Sequence, residues 1–246
     1  AYNKERDLET GLLNADALAS YAVQQSDLLN DLLAQGKFPF IIGGDCSILL
    51  GAALALKQRG NYGLFYLDGH TDFMDVRLSE TGGAGGMAAS IVTGNGHKKM
   101  TDIGGLRPYI KEENLWCVGN REYDEEYENE IRHSTATYLS LAMLRSKGIA
   151  AAAHRFLEMV EQKKLDGCWL HIDVDVLNDD IMPCVDSRTP DGLTYIEFNE
   201  LCSILFNSEK LTGLEITILD PHLDLSGTYT KEFVRNITQT FNEANQ

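Results

Sequence analysis

The 246-residue chain has no apolar run near the roughly 18 residues that a membrane-spanning helix needs. Its first residues, Ala1-Tyr2-Asn3-Lys4-Glu5-Arg6-Asp7, lack the apolar stretch of a secretory leader. Basic runs are missing too: 21 Lys and Arg stand against 37 Asp and Glu, a net charge of −16. Nothing along the chain could neutralise a phosphate backbone, so no nucleic acid and no anionic membrane is expected as a partner. Cysteine is sparse, and the five residues show no Cys-x-x-Cys spacing. That argues against a disulfide framework or a zinc ribbon, and together these absences predict a cytoplasmic protein. No internal repeat, low-complexity tract or Pro/Ser-rich linker divides the sequence, so residues 1–246 are read as a single domain. With 43% hydrophobic and 24% charged residues, the composition is that of an ordinary folded protein.

What is present is a rhythm of apolar strand, helix and strand. Leu18, Tyr21, Ala22, Leu28, Leu29, Leu32 and Leu33 are spaced as one helix face over 17–34, with Asp16 as the expected N-cap and Gly36 as the stop. A short strand over 38–42 ends at Gly43-Gly44-Asp45, and an apolar helix is predicted from Ser47 to Leu56. Further strands are predicted over 63–67, 115–118, 168–172 and 213–219, with a closing amphipathic helix from Thr230 to Phe241. Continuously apolar strands separated by helices belong to a parallel sheet covered on both faces, where ligands bind beyond the carboxyl ends of the strands. The expected fold is therefore α/β, a three-layer α/β/α sandwich around a doubly wound parallel sheet. The Gly-rich stretch from Thr81 to Gly86 reads as a loop near that same edge.

Three strand ends are dense in metal-ligand chemistry: Asp45-Cys46, Asp68-Gly69-His70-Thr71-Asp72 and His171-Ile172-Asp173-Val174-Asp175. Alternate residues of an extended segment share a face, so each of the two aspartate motifs can chelate a cation. The alternative for any one aspartate is a helix cap or a solvated loop charge. Four carboxylates converging on one edge would repel one another unless a cation neutralised them, and two divalent ions are the natural count. Oxygen ligands with an imidazole suit Mn²⁺ better than a soft metal.

Gly43-Gly44-Asp45-Cys46-Ser47, Asp68-Gly69-His70-Thr71-Asp72, Asp173-Val174-Asp175-Val176-Leu177 and Gly192-Leu193-Thr194 together resemble the ordered signature of the arginase family, the ureohydrolases. The resemblance runs from about Pro39 to Asp224. It implies an α/β/α sandwich with a two-manganese centre that activates a hydroxide to attack an amidine carbon. By the same resemblance Asp68 and Asp173 would bridge the metals, Cys46 and Asp72 would complete one metal's set, and His70 with Asp175 the other. Asp72 would also be the catalytic group that steers the proton. Trimers and hexamers in the family make a homo-oligomer an expectation by analogy, and a further strand is expected to precede residue 1.

The sequence departs from that pattern at several points. Cys46 stands where the family usually has His, either as a thiolate ligand or as a small buried residue. Ile218 takes the place of the carboxylate that holds the guanidinium, while Gly85 and Met74 replace a loop His and Asn. Glu215 either bears on the substrate or is a strand-edge charge. Asp124, ending the loop Gly119-Asn120-Arg121-Glu122-Tyr123-Asp124, would hold a substrate ammonium, or else is one charge in an acidic run. Ser187 falls where the family places a hydroxyl beside the guanidinium, or is an ordinary loop residue. His171 reads as a group supporting the ligands rather than as a ligand. The predicted activity is hydrolysis of a linear amidine or guanidine C–N bond in a small amino-acid-like substrate, with N-hydroxyarginine ahead of arginine because Ile218 offers no counter-charge. The alternative is a metal-binding arginase-like pseudoenzyme with a binding or regulatory role.

Overall fold

The structure is a computed structural model that describes residues 3–121 and 124–244. The element order is α1 (Ala15–Ala34), β1 (Phe40–Ile42), α2 (Leu49–Arg59), β2 (Tyr62–Leu67), α3 (Ala88–Val92), α4 (Lys98–Thr101), β3 (Leu115–Asn120), α5 (Glu125–Arg132), β4 (Thr137–Ser140), α6 (Leu141–Lys147), α7 (Ile149–Gln162), β5 (Gly167–Asp173), α8 (Tyr195–Phe206), β6 (Leu211–Thr217) and α9 (Thr228–Ala244). No helix among the described residues is long and apolar enough to cross a membrane.

Among the described residues, the six strands pair in parallel, in the order β1-β6-β5-β2-β3-β4. Because the chain winds outward in both directions from the β2/β5 pair, the crevice beyond these two strands is where such a sheet binds ligands. Alternate strand residues feed two separate cores. Phe65, Leu67, Trp116, Val118, Leu170 and Ile172 pack with α6–α9, whereas Leu64, Tyr66, Leu115, Cys117 and Trp169 pack with α1, α2 and α3. The expected α/β/α sandwich is therefore the observed one.

Local boundaries shift where backbone chemistry overrides the pattern. Helix α1 begins at Ala15 behind Asn14 as N-cap, not Asp16, with Asn14 in the left-handed region at φ 54°. Its end is as expected: Gly36 adopts φ 69°, and the Gly36 and Lys37 amides donate to the Leu33 and Leu32 carbonyls, two of the acceptors that the helix end leaves open. The predicted helix from Ser47 starts instead with a short tight turn over Cys46–Ile48, capped by Asp45 accepting from the Ser47 amide at 2.9 Å, before α2 proper. That turn places Cys46 at the carboxyl end of β1, pointing toward the crevice between neighbouring strands.

Candidate metal centre

Strand register places the first two carboxylates. Leu67 of β2 pairs with Ile172 of β5, so Asp68 and Asp173 emerge side by side at the carboxyl edge, 1% and 2% exposed. The backbone then curls back around each. Asp68 Oδ1 accepts the His70 amide at 2.6 Å, and Asp173 Oδ1 accepts the Asp175 amide at 2.9 Å. The Gly69 amide in turn donates to Asp175 Oδ1 at 3.0 Å, tying the two loops together. Gly69 is required there, because a Cβ would lie 2.5 Å from Arg121 Nη1 and 2.7 Å from Asp175 Oδ1. Asn120 and Arg121 brace the same loops from β3: Asn120 Nδ2 donates to the Asp68 and His70 carbonyls, and Arg121 Nη2 to the Asp175 carbonyl at 2.6 Å.

The result is two compact donor groups that share Asp68. Cys46, Asp68, His171 and Asp173 form one, and Asp68, His70 and Asp175 the other, each with one ligand atom per residue within 4.8 Å of the rest. Cys46 Sγ lies 2.9 Å from Asp173 Oδ2, and His70 Nδ1 lies 2.8 Å from Asp175 Oδ2. Burial, with Asp72, Asp173 and Asp175 as neighbours, pushes the Asp68 carboxyl well above its usual range. Burial and Asp175 do the same to Asp173. The Cys46 thiol is pushed up by burial and by the carboxylates of Asp173, Asp72 and Asp68. Asp175 alone goes down: burial opposes its charge, but hydrogen bonds from His70 and Gly69 and the nearby Arg121 guanidinium outweigh it. Asp68 Oδ2 is buried with no hydrogen-bond partner. A buried unpaired carboxylate oxygen is costly, and clustered acids, an imidazole and a thiol are donors a divalent cation would satisfy, so the residues fit the metal that the sequence implied.

Asp72 stands apart from both compact groups. It adopts φ 45°, and its Oδ2 accepts from the Tyr66 hydroxyl at 2.5 Å, while Oδ1 lies toward Gly86. Burial raises it to about 6, against the opposing hydrogen bond from Tyr66.

A cleft of about 500 Å³ opens over the donors, lined among others by Asp45, Cys46, His70, Asp72, Asp173 and Asp175. Ser187, Ile218, Met74, Gly85 and other residues of the Thr81–Gly86 loop are on its walls. Glu80, Tyr127 and Asp186 line it as well, and no motif had marked them. Two expected substrate contacts lie elsewhere. Glu215 is fully buried beneath the cleft, its Oε1 2.7 Å from His171 Nδ1, and is not among the residues that line it. Asp124 is exposed and caps α5, accepting the Glu126 amide at 2.8 Å, and is not among the lining residues. Glu122 and Tyr123 of its loop fall outside the described residues. Sequence reasoning missed Tyr66, and it read His171 as a group supporting the ligands, whereas the structure brings a ring nitrogen of it among the donor atoms of the first group. Each stands two residues before an aspartate of the donor groups on the same strand face, which is the signal that could have found them. A separate cavity of about 380 Å³ behind the Phe73–Val76 segment contains His97, His133, Glu112 and Glu130, none of them in a compact donor group.

Residues 4–241 match the family model described as Arginase family. The chain belongs to the arginase family. Among similar proteins is an arginase of Staphylococcus aureus (strain MRSA252), 26% identical over 236 residues that make up 96% of this chain and 78% of that one. An arginase of Brevibacillus brevis is 27% identical over 219 residues, 89% of this chain and 73% of the other. The solved arginase of Bacillus caldovelox superimposes with a TM-score of 0.89 at 25% identity, covering 98% of this chain and 81% of that one. As an arginase-family member the chain keeps both aspartate motifs at the switch point of the sheet, while the wall of its cleft carries Met74, Gly85 and Ile218.

Proposed function

We propose that the chain is a binuclear metal-dependent hydrolase acting on a linear amidine or guanidine C–N bond of a small amino-acid-like substrate, with manganese as the metal. The observation that carries the reading is the pair of donor groups sharing Asp68 at the floor of an open cleft. Asp68, Asp173 and Cys46 would hold one ion and Asp68, His70 and Asp175 the other, with Asp72 beside them. Two divalent ions supply Lewis acidity and the positive charge that lets four neighbouring carboxylates stay ionised together.

The protein's own groups account for the rest of the chemistry. Tyr66 fixes one oxygen of Asp72 and leaves the other toward the cleft, which is the arrangement for a group that accepts a proton from the attacking water and passes it to the leaving nitrogen. Arg121 and Asn120 hold the Asp68–His70 and Asp175 loops by backbone carbonyls, so the donors are positioned before substrate arrives. Ser187 on the wall offers a hydroxyl to the guanidine nitrogens. Ile218, half-buried at φ 70°, offers none and no charge, which favours a less basic N-hydroxyguanidine over arginine. The binding-only alternative is not favoured, because both donor groups are intact. The test is release of urea or hydroxyurea by Mn²⁺-loaded protein across a panel of guanidino acids. A higher kcat/KM for N-hydroxyarginine than for arginine is expected, and no release from any member would overturn the reading.

A further inference from the structure

Tyr66, His171 and Glu215 occupy one row across three adjacent strands: Tyr66 is the register partner of His171, and His171 that of Glu215. All three point to the α1/α2 side of the sheet, beneath the cleft. The His171 ring is clamped on two sides. The Tyr66 ring stacks on it with centroids 4.1 Å apart and planes 4° from parallel, and Glu215 Oε1 sits 2.7 Å from Nδ1. With Nδ1–H donating to the Glu215 carboxylate, the lone pair is on Nε2, facing away from Glu215. Nε2 meets the Thr217 hydroxyl at 3.4 Å. That hydroxyl also stands 3.5 Å from Cys46 Sγ and 3.5 Å from Asp173 Oδ2. Nε2, Asp173 Oδ2 and the Ile172 carbonyl, 3.4 Å away, all need the one hydroxyl proton, which cannot serve three acceptors and at these distances satisfies none of them well. Meanwhile a His171 ring nitrogen lies within 4.8 Å of donor atoms of Cys46, Asp68 and Asp173.

We propose that His171 is itself a metal ligand, its Nε2 joining Cys46, Asp68 and Asp173 around one ion while Glu215 holds the ring from behind. The inference rests on the reading of the cleft as a divalent-metal centre. A carboxylate on the far nitrogen of a ligating histidine is the usual way such a ring is oriented and made more basic, and the burial of Glu215 has no other evident return. The arrangement also makes the two positions chemically unlike. The deep one has sulfur, nitrogen and two oxygens, and the outer one has Asp68, His70 and Asp175, so the deep position takes the softer ion from a mixture.

The experiment is a Co²⁺ titration of the metal-free full chain, following heat and the near-ultraviolet thiolate-to-cobalt absorption that marks the Cys46 position. Wild type is expected to show two binding events, one carrying that absorption. In His171→Gln the absorbing event weakens by about 100-fold, the scale of losing a ligand and its oriented partner, and the silent event is unchanged. In Glu215→Gln the same event alone weakens by about 10-fold. X-ray absorption of wild type loaded with two zinc ions needs no variant, and should fit two imidazoles per pair of ions, His70 and His171. One imidazole per pair, or a folded His171→Gln with both events unaltered, would overturn the proposal and leave the metal centre standing. A wild-type chain that binds no ion would overturn both.

Discussion

The two donor groups share a carboxylate yet are built in opposite ways. The deep one is assembled from the ends of β1, β2 and β5, and its members are buried with few hydrogen-bond donors. The outer one sits in the loops that follow β2 and β5, where His70 is 26% exposed and backbone amides and Arg121 stabilise Asp175. Asp175 therefore ionises easily, while Asp68 and Asp173 resist it. The contrast shows which half would need an ion to hold its charge: the deep half has few donors of its own to offset its carboxylates, whereas the outer half has the Gly69 amide, His70 and Arg121.

The change expected to erase the contrast most completely is Asp173→Asn. It removes an anionic oxygen from the centre of the site, so turnover should fall by about 10³-fold, the several kcal/mol that metal-ion stabilisation supplies. Metal content measured on the same sample should fall with it, and full turnover would show that Asp173 holds no ion that turnover needs. Cys46→Ala sharpens the comparison by touching the deep half only. Mn²⁺ affinity there should drop by about 10- to 100-fold in calorimetry with the outer event retained, whereas Cys46→His should keep both. Equal weakening of both events would mean that the groups are not independent.

A pH series breaks the contrast more gently. Asp68, Asp72 and Asp173 bind protons more tightly folded than unfolded, so between about pH 4 and the folded value, about 6 for Asp72, the folded state holds the extra protons. Metal-free protein should thus lose stability as pH rises through that window and beyond. Asp175 acts oppositely, giving stability above its usual 3.8 that is lost on acidification below it. Added Mn²⁺ should reverse the upper trend, since the ligands must be deprotonated to bind. Thermal melts of metal-free protein at pH 5 and pH 8 check this, and a higher Tm at pH 8 would contradict it. The smallest effect is far from either group: Asp124→Ala should cost about 1 kcal/mol through loss of the α5 cap, and Asp124→Ser should restore it. KM should be unchanged in both, and a raised KM in the Ser variant would return Asp124 to the substrate.

Much of the fold and half of the centre are legible in the residue pattern. The apolar runs around Leu64 and Leu170 mark strands of a buried parallel sheet, and the aspartates that follow them mark its ligand edge. Strand β4, with mostly half-buried residues over Thr137–Ser140, carries no such run, and α6 and α7 are split by Gly148 at φ 96°, so the pattern there gives no clear period. Ligand spacing could name Asp68, His70, Asp173 and Asp175, because neighbours in sequence share a loop. It could not show that Glu215 faces His171, a contact 44 residues apart created by strand register, or that Asp124 is spent on capping a helix. Those are decided by pairing between strands and by backbone amides left open at helix starts.

The most direct test of the centre is the metal-to-protein ratio of the full chain after Mn²⁺ loading and desalting, measured by elemental analysis. About two ions per chain are expected. Folded protein that retains none would contradict that.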